Sequence, residues 1–585
     1  MEDIINNLLK DDKEEKINHQ FPIKECRVPG EYQYINILSM SASKKYIYLI
    51  EEHGELLFLD SKTLNPFQFS FKISSFNNIY NPKFKENFTK IWTDREGNHN
   101  IIRYKEKNYY FNILNNKVEE LNSLKNIEIG AVGFDDINEN QNSTGIFLVA
   151  DYNNNIYECE IKLEQKRNGD YKILEYFKKL TTLVFKNWDT EEDEDEENEG
   201  LLKPKKDRIY GIKFIKSKRN NELTEKYRNN CYIIFVTKTK LYQFHKTNNE
   251  LTFIRFFGRF NWNAMLFNDM CKYFPEIPKI SKKFTGTDID FLYNSSDEVD
   301  QFGWKTESGF CFGYFDYDNY SNLPKSIEKF IVIPFEKINK NGKKIPNLEP
   351  LSVTHSQNHI FILYDDCLTI VSKLNYKIIH TEYLEEEFTG ILFNEFSEEN
   401  GTILLYSKNG LFKISLKDEN KNIWEDYLDI GDYTNAIKYN PEADDKLIRK
   451  INRINADENF ESKNFSISAK LYPNSDEKFE IVVLKYLLEE KIDSLQLYCL
   501  QYLKQNKINN KNNSLENILL LILICEIMFK NPIKDKEEQL KNFSGLIREN
   551  TRYFKEKNIK DFIYFLALQY NKEDEFTEYA SIIGD

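Results

Sequence analysis

Two histidines that lie four residues apart are the first candidates for metal chemistry in this sequence. On a helix, His355 and His359 would share one face, where imidazole nitrogens are common ligands of zinc. Asn358–Ile362, however, has the apolar composition of a strand, in which residues four apart on one face are separated by about 13 Å. No H-E-x-x-H pattern surrounds the pair. We therefore interpret these residues as ordinary loop and strand histidines and predict no metal site.

Acidic and aromatic pairs give weaker chemical signals. Asp288 and Asp290 flank one apolar residue and would suit a cation or acid–base work, but the same alternation is typical of an exposed strand, which we favour. Trp424 and the pairs Tyr109-Tyr110 and Phe256-Phe257 have ring faces that stack on bases or sugars. Because no basic groove accompanies them, we expect these rings in cores or interfaces.

The common catalytic loops are missing from the sequence. It contains no G-x-x-x-x-G-K-[ST], no G-x-G-x-x-G after a strand and no G-x-S-x-G, and Gly342-Lys343-Lys344 is only a lysine-rich turn. We predict no catalytic, cofactor-binding or metal-binding residues, no cofactor and no small-molecule substrate. The chain is therefore predicted not to be an enzyme, and the pattern does not single out the residues that bind partners.

The cysteines indicate a reducing compartment. No C-x-x-C occurs, and the closest two cysteines, Cys499 and Cys525, are 26 residues apart. Scattered cysteines in a long chain are typical of buried thiols. The eight positions are Cys26, Cys159, Cys231, Cys271, Cys311, Cys367, Cys499 and Cys525.

Composition excludes several classes of protein. The 585 residues are 41% hydrophobic and 15% aromatic, which rules out general disorder. A net charge of −14 argues against nucleic-acid binding and against purely electrostatic docking on anionic lipid. The acidic start Met1-Glu2-Asp3-Ile4 is not a secretory signal, and the longest apolar run, Ile518–Cys525, is too short to span a bilayer. We expect a cytosolic protein.

The spacing of apolar runs predicts two parts that meet near residue 420. Before it, seven strand–turn–strand stations occur near residues 50, 105, 150, 235, 310, 365 and 407. Asn and Gly in the turns tolerate positive φ, as tight hairpins demand. After a leader at 1–20, the pattern predicts a seven-bladed β-propeller over 21–420; a pair of β-sandwiches is the alternative.

A run of acidic residues interrupts the predicted propeller at about 187–208. Asp189–Glu199 is almost entirely acidic and is followed by four basic residues between 203 and 208. A docking strip for a basic partner and a solvated, disordered loop both fit this pattern. We favour the loop, since like charges at this density repel.

The C-terminal part, 421–585, is predicted to be an α-solenoid. Ile430-Gly431-Asp432 ends one helix and caps the next, and Phe479–Glu490 places apolar residues at helical spacing. Ile518–Cys525 is apolar all round and is expected to be buried. If the Trp424 ring is buried at the junction, Trp424→Ala is expected to cost about 3–5 kcal/mol. Because the last helix is apolar, either a partner or further chain is expected to cover it.

Several segments, in order along the chain, carry a resemblance to a known family. Trp424–Asp429 with Ala436–Tyr439 is similar to a W-x-x-Y-L-D … A-x-x-Y junction, and Ala469–Tyr472 with Phe479–Leu487 to the helix that follows it. The further matches are Lys90–Gly97, Ser143–Glu160 and Tyr579–Asp585. Together they resemble the vacuolar protein sorting-associated protein 18, or deep-orange, family of class C vacuolar sorting proteins.

The resemblance implies a seven-bladed propeller followed by a solenoid, and a scaffold subunit of the tethering complexes HOPS and CORVET. Such subunits work in vesicle docking and fusion at late endosomes, vacuoles or lysosomes, bind other class C subunits, cooperate with SNARE and Rab proteins, and attach to membranes peripherally through partners. The family continues to a RING-type zinc finger that has no counterpart here, so a truncated chain is expected. A coat or nuclear-pore scaffold of the same architecture is the alternative.

Overall fold

The computed structural model describes residues 21–26, 36–65, 70–73, 89–135, 138–182, 208–216, 230–237, 241–247, 289–294, 298–306, 309–314, 330–339, 342–346, 348–397, 400–407, 410–440, 445–508, 514–530 and 536–584. The chain forms two compact units, Met1–Glu419 and Asn420–Asp585.

The described part of the first unit is built from antiparallel sheets, which we number as blades 1 to 7 in chain order. Blade 1 contains β2 (Ile37–Ala42), β3 (Tyr46–Glu51), β4 (Glu55–Asp60) and β5 (Phe71–Lys72), and blade 2 contains β6 (Lys90–Thr93), β7 (His99–Tyr104), β8 (Lys107–Asn112) and β9 (Lys117–Glu120). Blade 3 contains β10 (Ile129–Gly133), β11 (Phe147–Asp151), β12 (Asn155–Gln165) and β13 (Tyr171–Thr182), and blade 4 contains β14 (Gly211–Lys216), β15 (Asn230–Val236) and β16 (Leu241–Thr247).

The remaining blades follow the same order of strands. Blade 5 contains β17 (Ile289–Tyr293), β18 (Val299–Lys305), β19 (Phe310–Tyr314) and β20 (Phe330–Ile333), and blade 6 contains β23 (Ser352–His355), β24 (His359–Leu363), β25 (Cys367–Ser372) and β26 (Ile378–Tyr383). Blade 7 contains β27 (Phe388–Asn394), β28 (Thr402–Ser407), β29 (Leu411–Ser415) and β1 (Ile23–Cys26). A two-stranded ribbon, β21 (Glu336–Ile338) and β22 (Lys344–Pro346), connects blades 5 and 6.

The blades close into a ring. Each neighbouring pair shares a cluster of buried apolar side chains, including blade 7 with blade 1, where Leu404 and Leu411 pack with Ile47 and Leu57. Blade 7 is completed by β1, which pairs antiparallel with β29 so that Ile23 lies opposite Ile414. The prediction of a seven-bladed β-propeller is confirmed, and the β-sandwich alternative is wrong.

Paired strands form hairpins at all seven predicted stations, and turns within the described residues supply the required backbone geometry. Gly54 and Asn154 both take positive φ, as predicted for tight turns. A second device holds the turn after the first strand of several blades: a short polar side chain accepts a hydrogen bond from the first backbone N–H of the next strand. Asp94 accepts from His99, and Ser356 accepts from His359.

The second unit is helical, as predicted, and packs around one apolar cluster. Its described helices are α1 (Ile423–Asp429), α2 (Tyr433–Lys438), α3 (Asp445–Glu461), α4 (Phe465–Leu471), α5 (Phe479–Leu488), α6 (Ile492–Ile508), α7 (Ser514–Lys530), α8 (Lys536–Glu549), α9 (Thr551–Phe554), α10 (Lys557–Gln569) and α11 (Glu573–Ile583), with a 3₁₀ turn at Tyr472–Asn474. Gly431 takes φ 77°, and the Asp432 side chain accepts from Asn435 N–H, so the predicted stop and cap are confirmed. In the described residues no helix is both long and apolar enough to cross a bilayer.

One prediction about helical burial is wrong, and the condition attached to another is only partly met. Leu519, inside the run that was expected to be buried all round, is 58% exposed, because only one side of α7 faces the cluster. Trp424 is only partly buried, whereas its neighbour Ile423 is fully buried. The expected cost of Trp424→Ala therefore falls below the 3–5 kcal/mol of a fully buried ring.

Several predicted features fall outside the described residues. These are the leader at 1–20, the acidic run up to residue 207, the Phe256-Phe257 pair, Asp288 and Cys271. The side chains of Cys26 and Cys231 are likewise outside it. The other five cysteines are buried and unpaired in disulfides, as expected.

Candidate functional site

A group of buried polar side chains lies where blades 5 and 6 meet the chain that leaves the propeller. We call it the Lys373 cluster. Gln301 belongs to β18 of blade 5, and Lys373 follows β25 of blade 6. The two histidines lie at the end of β23 and the start of β24, with Ser356 in the turn between them, and Glu419 follows β29. Its members are Gln301, His355, Ser356, His359, Lys373 and Glu419.

Lys373 occupies the centre of this cluster and has a hydrogen-bond acceptor for each of its three donors. Its ammonium Nζ lies 2.7 Å from Gln301 Oε1, 2.6 Å from the Ser356 carbonyl oxygen and 2.7 Å from His355 Nδ1. Burial lowers the pKa of Lys373 to about 7, although Glu419 and Asp300 oppose this shift. A lysine with a lowered pKa is chemically suited to attack a carbonyl group. Here the nitrogen is enclosed and fully engaged, so the arrangement holds the fold together and presents no nucleophile.

Glu419 ties the end of the propeller to the turn of blade 6. Its Oε1 accepts hydrogen bonds from the Ser356 hydroxyl over 2.5 Å and from the Asn358 N–H over 3.0 Å, and lies 2.9 Å from His359 Nδ1. Burial opposes ionisation of this carboxyl, but the bonds from His359, Ser356 and Asn358 outweigh it and hold the pKa of Glu419 below its ordinary value. The carboxylate therefore fixes the chain where it leaves the ring.

The structure corrects the predicted placement of the two histidines. They do not lie on one strand: His355 ends β23 and His359 begins β24, on either side of a tight turn. His355 Nδ1 faces Lys373 and His359 Nδ1 faces Glu419, so these two nitrogens are directed to different partners. In the described ranges no three His, Cys, Asp or Glu side chains are grouped as metal ligands.

A second group of side chains lies across the centre of the ring. Arg95 follows β6 in blade 2, and its guanidinium carbon lies 3.3 Å from the ring centroid of Tyr293 in blade 5. The same guanidinium lies 3.5 Å from the carboxylate of Glu395, which follows β27 in blade 7. Since blades 2, 5 and 7 are not neighbours in the ring, these contacts cross the central channel. Side chains of blades 2, 5 and 7 thus meet within the channel.

The remaining residues that the sequence singled out have structural positions. Tyr109 and Tyr110 belong to β8 and are buried in the clusters between blades, and Asp290 lies in β17. Gly342 and Lys343 lie in the exposed turn of the ribbon, and Lys344 begins β22. Sequence reasoning missed Gln301, Lys373 and Glu419, because each is a lone polar residue without motif spacing. The one available signal was their position beside strongly apolar strands.

Comparison with known proteins identifies the family. Residues 14–416 match the family model described as the Pep3/Vps18/deep orange beta-propeller domain. Over 517 residues the chain is 22% identical to the vacuolar protein sorting-associated protein 18 homolog of Danio rerio, with 85% of this chain and 48% of the relative covered. The homolog of Drosophila melanogaster is 24% identical over 422 residues, with 68% and 38% covered.

A fungal relative matches a shorter part of the chain. The vacuolar membrane protein pep3 of Schizosaccharomyces pombe is 23% identical over 259 residues, which cover 41% of this chain and 28% of that protein. The chain thus spans about half or less of the length of the curated relatives that it matches. The family model covers most of the chain and describes a beta-propeller domain, and the structure has this fold. This protein therefore belongs to the Pep3/Vps18/deep orange family of vacuolar sorting proteins.

Proposed function

We propose that this chain is a scaffold subunit of a membrane-tethering complex of the HOPS or CORVET type, which acts in vesicle docking and fusion and in transport from endosome to vacuole. The match of residues 14–416 to the Pep3/Vps18/deep orange model carries this proposal. The proposed mechanism is rigid presentation: propeller loops and helical ridges offer surfaces to partners, and the chain makes and breaks no covalent bonds. Domain limits of 21–420 for the propeller and 421–585 for the solenoid belong to the proposal.

The surface of the helical unit supports a role in protein binding. Large apolar side chains remain exposed on single helix faces, notably Leu484 and Leu488 of α5 at 57% and 82% and Leu568 of α10 at 76%. Exposed apolar residues grouped on one face are typical of protein–protein contacts. The buried Lys373 cluster also supports the scaffold role, because its lysine and carboxylate bond to neighbouring groups of the propeller.

The proposed partners are the other class C subunits, with SNARE and Rab proteins reached through the assembled complex. The proposed location is the cytoplasmic face of the late endosome, vacuole or lysosome, to which the chain attaches peripherally through its partners. The name of the fission-yeast relative, a vacuolar membrane protein, supports this location. Nucleic acid is not a proposed ligand, because the net charge of −14 repels phosphate.

Affinity purification of the tagged protein from its own cells, followed by mass spectrometry, tests the proposal. We expect co-purification of other class C subunits and co-fractionation with endosomal or vacuolar membranes. A preparation that contains neither would contradict the proposal. Nuclear-rim staining together with nuclear-pore subunits would instead identify the alternative propeller–solenoid scaffold.

A further inference from the structure

The β12–β13 hairpin of blade 3 is much longer than the other strands of the ring. β12 has 11 residues and β13 has 12, whereas the other described strands have between 2 and 7. β13 is the outermost strand of its sheet, and within the described residues it pairs only with β12. The hairpin therefore extends a sheet edge well beyond the length that a blade requires.

The extended hairpin is held firmly on one of its faces. Ile161, Leu163, Ile173 and Phe177 pack into the apolar cluster between blades 2 and 3. The carboxylate of Glu175 accepts the backbone N–H of Ser123 over 2.9 Å and that of Asn122 over 3.3 Å, so the turn after β9 fastens the middle of β13. The edge is consequently a rigid template with its conformation already set, which lowers the entropy cost of binding.

The outer edge of β13 has the features of a strand acceptor. From Tyr171 to Lys179 the register with β12 runs without a shift, and this stretch contains neither proline nor glycine. Exposed edges are normally protected by short strands, bulges or prolines, because their free backbone groups pair readily with another chain. None of these devices is present in this stretch, although lysines on an edge also give some protection.

The side chains along this edge specify the chemistry of a partner. Lys172, Leu174, Tyr176 and Lys178 point to the exposed face, where Leu174 and Tyr176 are 40% and 43% exposed, and Lys179 is exposed next to them. Two apolar side chains are therefore flanked by lysines, of which Lys172 and Lys178 lie opposite Glu164 and Glu158 of β12 and Lys179 lies next to them. An extended segment with apolar residues at alternate positions and acidic residues between them is complementary to this edge.

We propose that the outer edge of β13 accepts an extended acidic segment of a partner protein as an added strand of blade 3. Backbone hydrogen bonds supply affinity in this mode, and contacts with Leu174, Tyr176 and the lysines supply selectivity. This docking site goes beyond the proposed function and does not depend on it, because the edge is a property of the propeller alone.

The test uses the full chain and a fluorescein-labelled peptide of alternating glutamate and valine, twelve residues long to match β13. We expect saturable binding by fluorescence anisotropy and slower amide hydrogen exchange in residues 171–179. The triple variant Lys172→Glu/Lys178→Glu/Lys179→Glu should bind about tenfold more weakly, because it replaces attraction to the glutamates of the peptide by repulsion at exposed, solvent-screened positions. The matched variant Lys62→Glu/Lys343→Glu/Lys417→Glu, which changes exposed lysines elsewhere on the unit, should bind as well as the wild type.

A second peptide tests whether the contact is made through the backbone. Replacing every second valine of the peptide by proline, which retains all the glutamates, should abolish binding because proline removes backbone donors and disfavours pairing in a sheet. Absence of saturable binding up to about 1 mM, the weak end of specific affinities, would overturn the proposal. So would equal losses in the two triple variants, or exchange protection that lies outside β13; circular dichroism and melting curves verify that each variant is folded.

Discussion

Gly303 of β18 shows how closely single residues pack around the Lys373 cluster. A Cβ atom at this position would lie 2.6 Å from His355 Nε2 and 2.5 Å from Phe310 Cζ, both closer than van der Waals contact. We therefore expect Gly303→Ala to lower the free energy of unfolding by about 1–3 kcal/mol, the usual cost of overpacking a core. Urea denaturation followed by tryptophan fluorescence measures the change.

The chain offers a matched glycine for which the same substitution has the opposite sign. Gly545 lies inside α8, and a Cβ atom there meets nothing within 4 Å. Because alanine is the better helix former, Gly545→Ala should stabilise the helical unit by up to about 1 kcal/mol. An unchanged stability in Gly303→Ala would show that the His355 ring moves aside without cost.

Lys373 predicts a pH dependence with a definite sign. Its pKa is lowered to about 7 in the folded protein, whereas the pKa of a free lysine is about 10.4. Between these values the unfolded chain holds a proton that the folded chain has lost, so stability rises with pH from about 7 to 10, by at most about 1.4 kcal/mol per pH unit. Below about 7 both states are protonated and this contribution no longer changes.

Lys373→Met removes that contribution and leaves buried acceptors without a donor. We expect the variant to be less stable at neutral pH by about 1–3 kcal/mol and to gain less stability between pH 7 and 10. Denaturation curves recorded across this range, with Lys62→Met as the control at an exposed lysine, measure both effects. Equal pH slopes in Lys373→Met and wild type would contradict the assignment.

At the scale of elements, the sequence predicted hairpins better than whole blades. Strands are readily predicted at Tyr46–Ile50 and Cys367–Ser372, because both faces of each strand are buried and the sequence is therefore mostly apolar. The outermost strand β9, with the residues Lys-Val-Glu-Glu, has no buried residue and gives no apolar signal. Helix α3 was missed for a similar reason, since only three of its 17 residues, Ile451, Ile454 and Ala456, are buried.

Helix α5 shows the limit of helical periodicity. The apolar residues at helical spacing within Phe479–Glu490 include Val482, Tyr486 and Leu487, which this spacing places on one side. Val482 and Tyr486 are buried, but Leu487 is 46% exposed. The helix is apolar on both sides, so the 3.6-residue period cannot decide which side is buried. The other exposed apolar residues of this helix, which the period does not distinguish from core residues, are Ile481, Leu484 and Leu488. A protein that binds this helix would contact them.

This exposed face predicts a separation of binding from stability. Leu484→Glu/Leu488→Glu should leave the free energy of unfolding within about 0.5 kcal/mol of wild type, because these side chains are already in water. It should reduce the amount of class C subunits that co-purify with the protein, as quantified by mass spectrometry. The control is Lys470→Ala/Lys478→Ala, which makes the same change in charge at exposed positions beside the helix and should retain partners. Equal recovery of partners with both variants would show that α5 does not contact them.

At the scale of the whole propeller, the ring depends on a pairing that joins the two ends of its sequence. β1 and β29 are separated by almost 400 residues, and no local pattern reveals that Ile23 lies opposite Ile414. Phe21, just before β1, is buried with Phe361, Leu363 and Ile414 in the cluster between blades 6 and 7. The sequence predicted the number of blades from the hairpins, whereas the closure follows from the three-dimensional register alone.

Removal of residues 1–26 tests this closure. The deletion takes away β1 together with the Phe21 side chain, whose burial alone corresponds to about 3–5 kcal/mol. It also exposes the edge of β29, and exposed edges pair with other chains. We expect a lower melting temperature and concentration-dependent oligomers, measured by calorimetry and by size exclusion with light scattering. Removal of residues 1–20 is the matched control, because it leaves Phe21 and β1 in place and should preserve both the melting temperature and the state of association. If the two deletions behave alike, the β1–β29 pairing does not stabilise the ring.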